Sequence, residues 1–214
     1  MPRAGLTPER VLVEAEHLTD EVGVDALTLS ALADRLGVRQ PSLYKHIDGL
    51  AAVKRDIAVR AKAELADVLA RAAVGRSRGD AVRSIAAAYR SWAHQHPGRY
   101  QATLHAPDPT DPDDGAASAA AVTVVLDVLA GYHLHGPDAV HAARGLRSAL
   151  HGFVSLEAAG GFGLSHSLDD SYHRLVEDCV AALSSDPAVR KDHPDARHSL
   201  RPLRRGQHRL PGDR

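Results

Sequence analysis

The chain has 214 residues, a formal net charge of −1, 44% apolar but only 4% aromatic residues, and one cysteine. Near neutrality excludes a protein that coats nucleic acid through bulk charge, because binding by counterion release needs many cations gathered in one place. The lone Cys179 excludes an intrachain disulfide, and the scarcity of aromatics suits helices packed through Leu, Val and Ala in a small domain followed by a larger one.

The first predicted helix has a clear start. Thr7 is a capping residue, Pro8 fits the first helical position and Glu9 suits the first turn, and Val11, Leu12, Ala15, Leu18 and Val22 form its inward stripe before Gly23. Thr28 caps a second helix whose apolar positions Leu29, Leu32, Ala33 and Leu36 recur at helical spacing, and Gly37 supplies the left-handed turn that ends it. Pro41 is tolerated only near a helix start, so a third helix begins close to Gln40 and runs to about His46. Two short helices around a glycine turn form the arrangement that sets one helix into a DNA major groove. Val38, Leu43 and Ile47 fall on the inward side, which turns Arg39, Gln40, Ser42, Tyr44 and Lys45 outward.

These residues carry a family resemblance. Leu27-Thr28 through Leu43-Tyr44-Lys45-His46-Ile47, with Gly23 before them, resembles the amino-terminal domain of the tetracycline-repressor (TetR) family of bacterial transcription regulators, over about residues 8–60. The resemblance implies that Gln40, Pro41 and Tyr44 meet bases or the groove wall, and that Thr28, Ser42, Tyr44 and His46 hold phosphates. Two positions depart from the pattern. Leu50 stands where many relatives have a phosphate-binding lysine, which leaves Lys45, Lys54 or Arg55 to replace it, and Ser30 stands where some members carry a base-reading arginine. Charge points the same way independently of family: residues 1–38 carry three arginines against seven carboxylates, whereas residues 39–62 carry six cations against Asp48 and Asp56.

Asp48 is the expected cap of a fourth helix, through Val53, Ile57, Ala61, Leu65, Val68 and Leu69 to near Gly75, long enough to bridge two domains. The next helix places Val82, Ile85, Ala86, Tyr89, Trp92 and Ala93 on one face and ends at Pro97-Gly98, before a short piece around Tyr100 and Leu104. Pro107, Pro109 and Pro112 with Asp108, Asp111, Asp113 and Asp114 predict a mobile, solvated loop. An apolar helix follows from about Ala116 to Tyr132 with Val122, Val125, Leu126 and Leu129 inward, then one from Pro137 to about Ala159, and a last one from about Asp169 to Leu183.

The last two helices are the dimerisation candidates. Gly145, Ala149, Gly152 and Leu156 form a mostly small stripe, and Tyr172, Leu175, Val176, Cys179 and Val180 lie on one face of the last helix, so two helices from each subunit can make a four-helix interface. His96-Pro97-Gly98-Arg99-Tyr100 and Ala149-Leu150-His151-Gly152-Phe153 are similar to a TetR carboxyl-terminal subfamily with a helix-borne His-Gly element. That resemblance implies a homodimer, a palindromic double-stranded DNA operator and a small-molecule effector. Tyr89, Trp92, Tyr100, Tyr132 and Phe153, with His151 and Asp127 as polar points in apolar surroundings, are the candidate lining of an effector pocket, and few charges among them imply a largely apolar ligand.

The expected fold is therefore all-α: an N-terminal three-helix helix-turn-helix DNA-binding domain at residues 1–50, a C-terminal helical ligand-binding and dimerisation domain at 51–185, and a disordered basic tail at 186–214. No catalytic constellation, cofactor motif or metal-ligand spacing is present. A second reading, a histidine-dependent metal-binding protein or metalloenzyme, draws on the fourteen histidines, His94/His96 and His133/His135 among them, but pairs two apart on a helix face different ways. With no apolar run near about twenty residues and no charged-then-apolar leader, the expected location is the cytoplasm.

Overall fold

Thr7 accepts a hydrogen bond from the Arg10 N–H and Pro8 occupies the first turn, and from that start helix α1 (Pro8–Val22) buries Val11, Ala15 and Leu18. The computed structural model describes residues 5–185, which are helical with no strand among them; the expected tail at 186–214 lies outside the described residues. Val22, placed inward by its spacing, is instead largely exposed, because α1 ends there and Gly23 turns the chain away.

Thr28 caps α2 (Leu29–Leu36) through the Ala31 N–H, and Gly37 ends it at φ 67°, in the left-handed region that glycine reaches without a Cβ penalty. The third helix differs from expectation in kind: Gln40–Lys45 is a 3-10 helix, held by Ser42 and His46 N–H groups that donate to the Arg39 and Leu43 carbonyls. Six residues entered through proline hold only such tight turns. The fourth helix, α3 (Leu50–Ala73), is capped by Gly49 at φ 107° rather than by Asp48, whose exposed side chain makes no cap hydrogen bond.

Helix α3 runs through two cores. Val53 and Ile57 pack with Val11, Leu18, Leu27, Leu32 and Leu43, whereas Ala61, Leu65 and Leu69 pack with the helices that follow. A division drawn at residue 50 therefore cuts the first turns of α3 away from the core they complete; the change of core falls between Ile57 and Ala61.

Beyond α3 come α4 (Arg78–Gln95), α5 (Pro97–Ala102), α6 (Pro112–Ala130), α7 (Gly136–Ala158) and α8 (Leu168–Ser185). The face of α4 read from spacing, from Val82 to Ala93, is buried throughout. Helix α6 lies along α3, with α4, α7 and α8 completing the bundle. In α6, Val128 and Leu129 are buried but Val122 is 49% exposed, since the inward stripe follows α3 and passes it by. The proline- and aspartate-rich segment is an exposed loop as far as Thr110, and its end starts α6: Asp111 caps that helix through the Asp113 and Asp114 N–H groups.

Helix α5 belongs to the second half by sequence and packs into both cores, Tyr100 in the second and Ala102 in the first. A Cβ on Gly98 would stand 1.8 Å from the Thr19 carbonyl oxygen of α1, so only glycine permits that approach. Arg99 then ties the junction, its N–H and Nε donating to Asp20 at 2.8 Å each and Nη1 to Glu64 of α3 at 2.7 Å.

Candidate nucleic-acid interface and effector core

Leu43 is the anchor of the 3-10 helix. It is fully buried in the first core, with Val38 and Ile47 half-buried beside it, so the segment is held on one face and presents the other. On the presented face Arg39, Gln40, Pro41, Tyr44 and Lys45 are exposed, Tyr44 by 56%, and Ser42 and His46 are half-buried. The Arg39, Gln40, Tyr44 and Lys45 side chains have no hydrogen-bond or ionic partner among the described residues. Thr28 is near them in the chain at the start of α2; its hydroxyl accepts from Ala31 and retains its O–H to donate elsewhere. Lys54 is half-buried on the first turns of α3 and carries no ion pair.

The basic stretch read across residues 39–62 is smaller in the structure than in the sequence. Arg55 is bound by Asp56, Asp111 and Asp113, Arg60 by Glu9 and Glu16, and Lys62 by Asp114. Arg39, Lys45 and Lys54 are the cations of that stretch left without a carboxylate. Apart from Asp56, the neighbour of Arg55 on α3, the carboxylates come from α1 and from the start of α6, which no local charge count could assign. Burial pushes the Glu16 carboxyl above its usual range, against the pull of Arg60 and Arg99.

In the second core, Tyr89 and Tyr100 share a hydrogen bond of 2.8 Å, Tyr100 and His151 Nδ1 one of 2.5 Å, and Ser155 lies 3.2 Å from the same nitrogen. Tyr89, Tyr100 and His151, three of the candidate pocket residues, thus come together as one polar chain inside apolar packing, and burial pushes the Tyr89 hydroxyl well above its ordinary pKa and raises that of Tyr100. Trp92 and Tyr132 are buried in the same core, and neither Trp92 Nε1 nor the Tyr132 hydroxyl has a partner. Phe153 packs against Phe162 and Tyr172, with the Arg90 guanidinium over the Tyr172 ring at 4.8 Å. Asp127 does not join them: it is exposed on the outer side of α6, lining a shallow groove with Ala70, Val74 and Arg76.

The dimer candidates divide likewise. Tyr172, 5% exposed, donates its hydroxyl to the Ala86 carbonyl, and Val176 is buried beside it, so both belong to the protomer's own core. Leu175, Cys179 and Val180 are half-buried against that core, Ala149 and Gly152 are half-buried on α7, and Gly145 and Leu156 are exposed there. Tyr172 and Val176 share one buried stripe of α8, as their spacing predicts, and that stripe faces α4.

Arg90 and Glu157 were not singled out from sequence. Arg90 grips both Glu157 oxygens, His94 Nε2 lies 2.8 Å from the same carboxylate, and the Arg90 hydrogen bonds hold the Glu157 carboxyl down at about 2. The two residues stand 67 positions apart on different helices, and nothing local marks the pair. Of the paired histidines, His94 meets Glu157 and His96 meets Asp20 and Arg99, and no three His, Cys, Asp or Glu among the described residues come together as ligands.

A helix-turn-helix head on a helical second domain, with unpartnered polar side chains on the presented helix, defines a DNA-binding regulator of transcription rather than an enzyme. Comparison with known proteins gives the family. Residues 11–47 match the model described as bacterial regulatory proteins, tetR family, and residues 82–179 match that of the tetracyclin repressor-like C-terminal domain. An uncharacterized HTH-type transcriptional regulator of Mycobacterium tuberculosis, Rv0681, is 44% identical over 158 residues, covering 73% of this chain and 72% of that one. A second such regulator, YobS of Bacillus subtilis, is 37% identical over 182 residues, 85% and 95% of the two chains. The crystal structure of TetR-Q116A from Acinetobacter baumannii AYE in complex with minocycline superposes with a TM-score of 0.61 at 24% identity, over 83% of this chain and 96% of that one. The chain belongs to the TetR family of transcriptional regulators. No support for the metal-binding reading comes from these relatives, and no helix among the described residues is long and apolar enough to cross a membrane.

Proposed function

We propose that the protein is a cytoplasmic homodimeric repressor that binds a palindromic operator through Arg39, Gln40, Pro41, Tyr44 and Lys45 and is released by a small, largely apolar ligand. The observation that carries this reading is the 3-10 segment, in which a fully buried Leu43 fixes a surface whose donors and aromatic ring have no partner in the chain. Gln40 and Tyr44 read base edges or the groove wall; Arg39, Lys45 and Lys54, with the Thr28, Ser42 and His46 side chains, grip phosphates and set the register. Two heads related by a twofold axis take half-sites about one helical turn, or a multiple of it, apart.

The exposed parts of α7, around Gly145 and Leu156, are the surface assigned to the partner subunit, with Ala149 and Gly152 at its edge. For the effector, the Tyr89–Tyr100–His151 chain supplies a polar end within apolar walls that include Trp92, Tyr132 and Phe153. Its ligand would trade hydrogen bonds with that chain and lower operator affinity by as much as it prefers the DNA-incompatible state. A protein of the same fold, TetR-Q116A of Acinetobacter baumannii, is crystallised in complex with minocycline, which supports a small-molecule ligand.

A genomic-fragment selection with purified protein at physiological salt tests the reading. Enrichment of one palindrome is the expected result; retention no better than bulk fragments would remove the operator reading.

A further inference from the structure

Of the three cations that the sequence offers as a replacement phosphate contact, Lys45, Lys54 and Arg55, the last is occupied. Arg55 stands on α3 between Val53 and Ile57, both buried in the first core, so its position is that of the head. Its Nε and Nη2 donate to the two oxygens of Asp111 at 2.6 Å each, Nη2 also to Asp113 at 2.8 Å and Nη1 to Asp56 at 2.9 Å. Four of its five N–H donors are thus spent on carboxylates, and three negative charges surround one positive. Such a place repels a phosphate.

Asp111 does two things at once. One oxygen caps α6 through the Asp113 and Asp114 N–H groups, and the pair of oxygens takes the Arg55 fork, so the first turn of α6 is fixed to the head half of α3. Seven residues further along α3, Lys62 donates to Asp114 at 2.5 Å, both groups nearly buried, and the other Asp114 oxygen takes the Asp108 N–H. Bidentate, networked pairs of this kind hold geometry in a way isolated surface pairs do not. The Arg55 fork holds the Asp111 carboxyl far below its usual range.

We propose that the Asp111–Arg55–Asp113 bridge is an ionic latch that fixes the reading head to α6, so that Arg55 is a positioning residue that sets head spacing on the operator and not a phosphate contact. The inference rests on the homodimer reading above. In a dimer, each head is carried by its own α3, and a head free to shift against α6 samples a range of separations from its twin. The latch narrows that range. Opening it costs some affinity for the native operator and relaxes discrimination against wrongly spaced half-sites, while the number of phosphates held stays the same.

The test uses full-length wild type, Arg55→Gln, and the double variant Asp111→Asn with Asp113→Asn. Asparagine keeps the capping oxygen, so α6 retains its start and the double variant carries the test even if Arg55→Gln folds poorly. Each is titrated with the selected operator and with a copy lengthened by one base pair between half-sites, over a range of salt. The expected result is a spacing penalty of about tenfold or more for wild type and about threefold or less for either latch variant, with an unchanged salt slope. An unchanged spacing penalty overturns the latch alone, as does a double variant that binds the native operator more tightly with a slope steeper by about 0.9, the signature of Arg55 released onto a phosphate. A wild type that sediments as a monomer on a single half-site overturns the dimer reading and the latch together.

Discussion

The 3-10 recognition segment lies in the head and the α1–α5 junction ties the head to the second half, and the two treat polar groups in opposite ways. In the segment, the Arg39, Gln40, Tyr44 and Lys45 side chains make no hydrogen bond or ion pair among the described residues. At the junction, Asp20, Arg99, His96 and Glu64 engage one another, and two backbones meet at Gly98 with no room for a Cβ. The difference separates function from structure: groups already satisfied within the chain hold it together, and groups left over are addressed to something outside it.

Substitutions can break that comparison. The largest effect is expected at the junction, where Gly98→Ala forces α5 off α1; a loss of about 3 kcal/mol, and a fall in Tm of roughly 6–12 °C by calorimetry, is the expected outcome. An unchanged Tm would mean that the close approach is not a constraint. In the segment the pattern reverses. Tyr44→Ala should weaken the selected operator about 10- to 100-fold while the melting curve stays within about 0.5 kcal/mol of wild type, read by fluorescence anisotropy and circular dichroism on one preparation. Equal losses in both would erase the distinction.

Acid sharpens it further. Glu157 is held at about 2 against an ordinary 4.5 by its Arg90 hydrogen bonds. Its folded value is depressed, so its contribution is present in full above about 4.5 and is lost as pH falls toward 2. Comparing Glu157→Gln with wild type by chemical denaturation from pH 6 to pH 2 should show a stability gap that closes with acid; a constant gap would contradict the linkage. The smallest effect is expected at Lys45→Ala, which should weaken all sequences alike and lower the salt slope by about 0.9. A loss confined to one base position would make Lys45 a reader of sequence.

What could be read from sequence follows the range of the interactions. Thr7 with Pro8, Thr28, Gly37 and Pro41 act within four residues of themselves, and the elements they begin or end stand where the spacing put them. The 3-10 form of the recognition segment was not legible, since Pro41 marks a helix start without fixing its winding. Asp48 as a cap failed because Gly49 took the position with a positive φ. Periodicity finds a helix's inward stripe but not its neighbour, which is why Tyr172 and Val176 belong to the protomer core and why Asp127 faces out. Pairs such as Arg55 with Asp111, 56 residues apart, and Tyr100 with His151, 51 apart, exist only once the helices are assembled.

Helix α3 holds neither glycine nor proline through its 24 residues, and its sides are buried in two different cores. At 1.5 Å per residue it is a rod of about 36 Å, so a tilt of about 5° at one end sweeps the other through about 3 Å. That sweep nearly matches the ~3.4 Å between successive base pairs. A stiff rod therefore turns an adjustment smaller than one side chain's width into a displacement on the scale at which DNA itself is ruled.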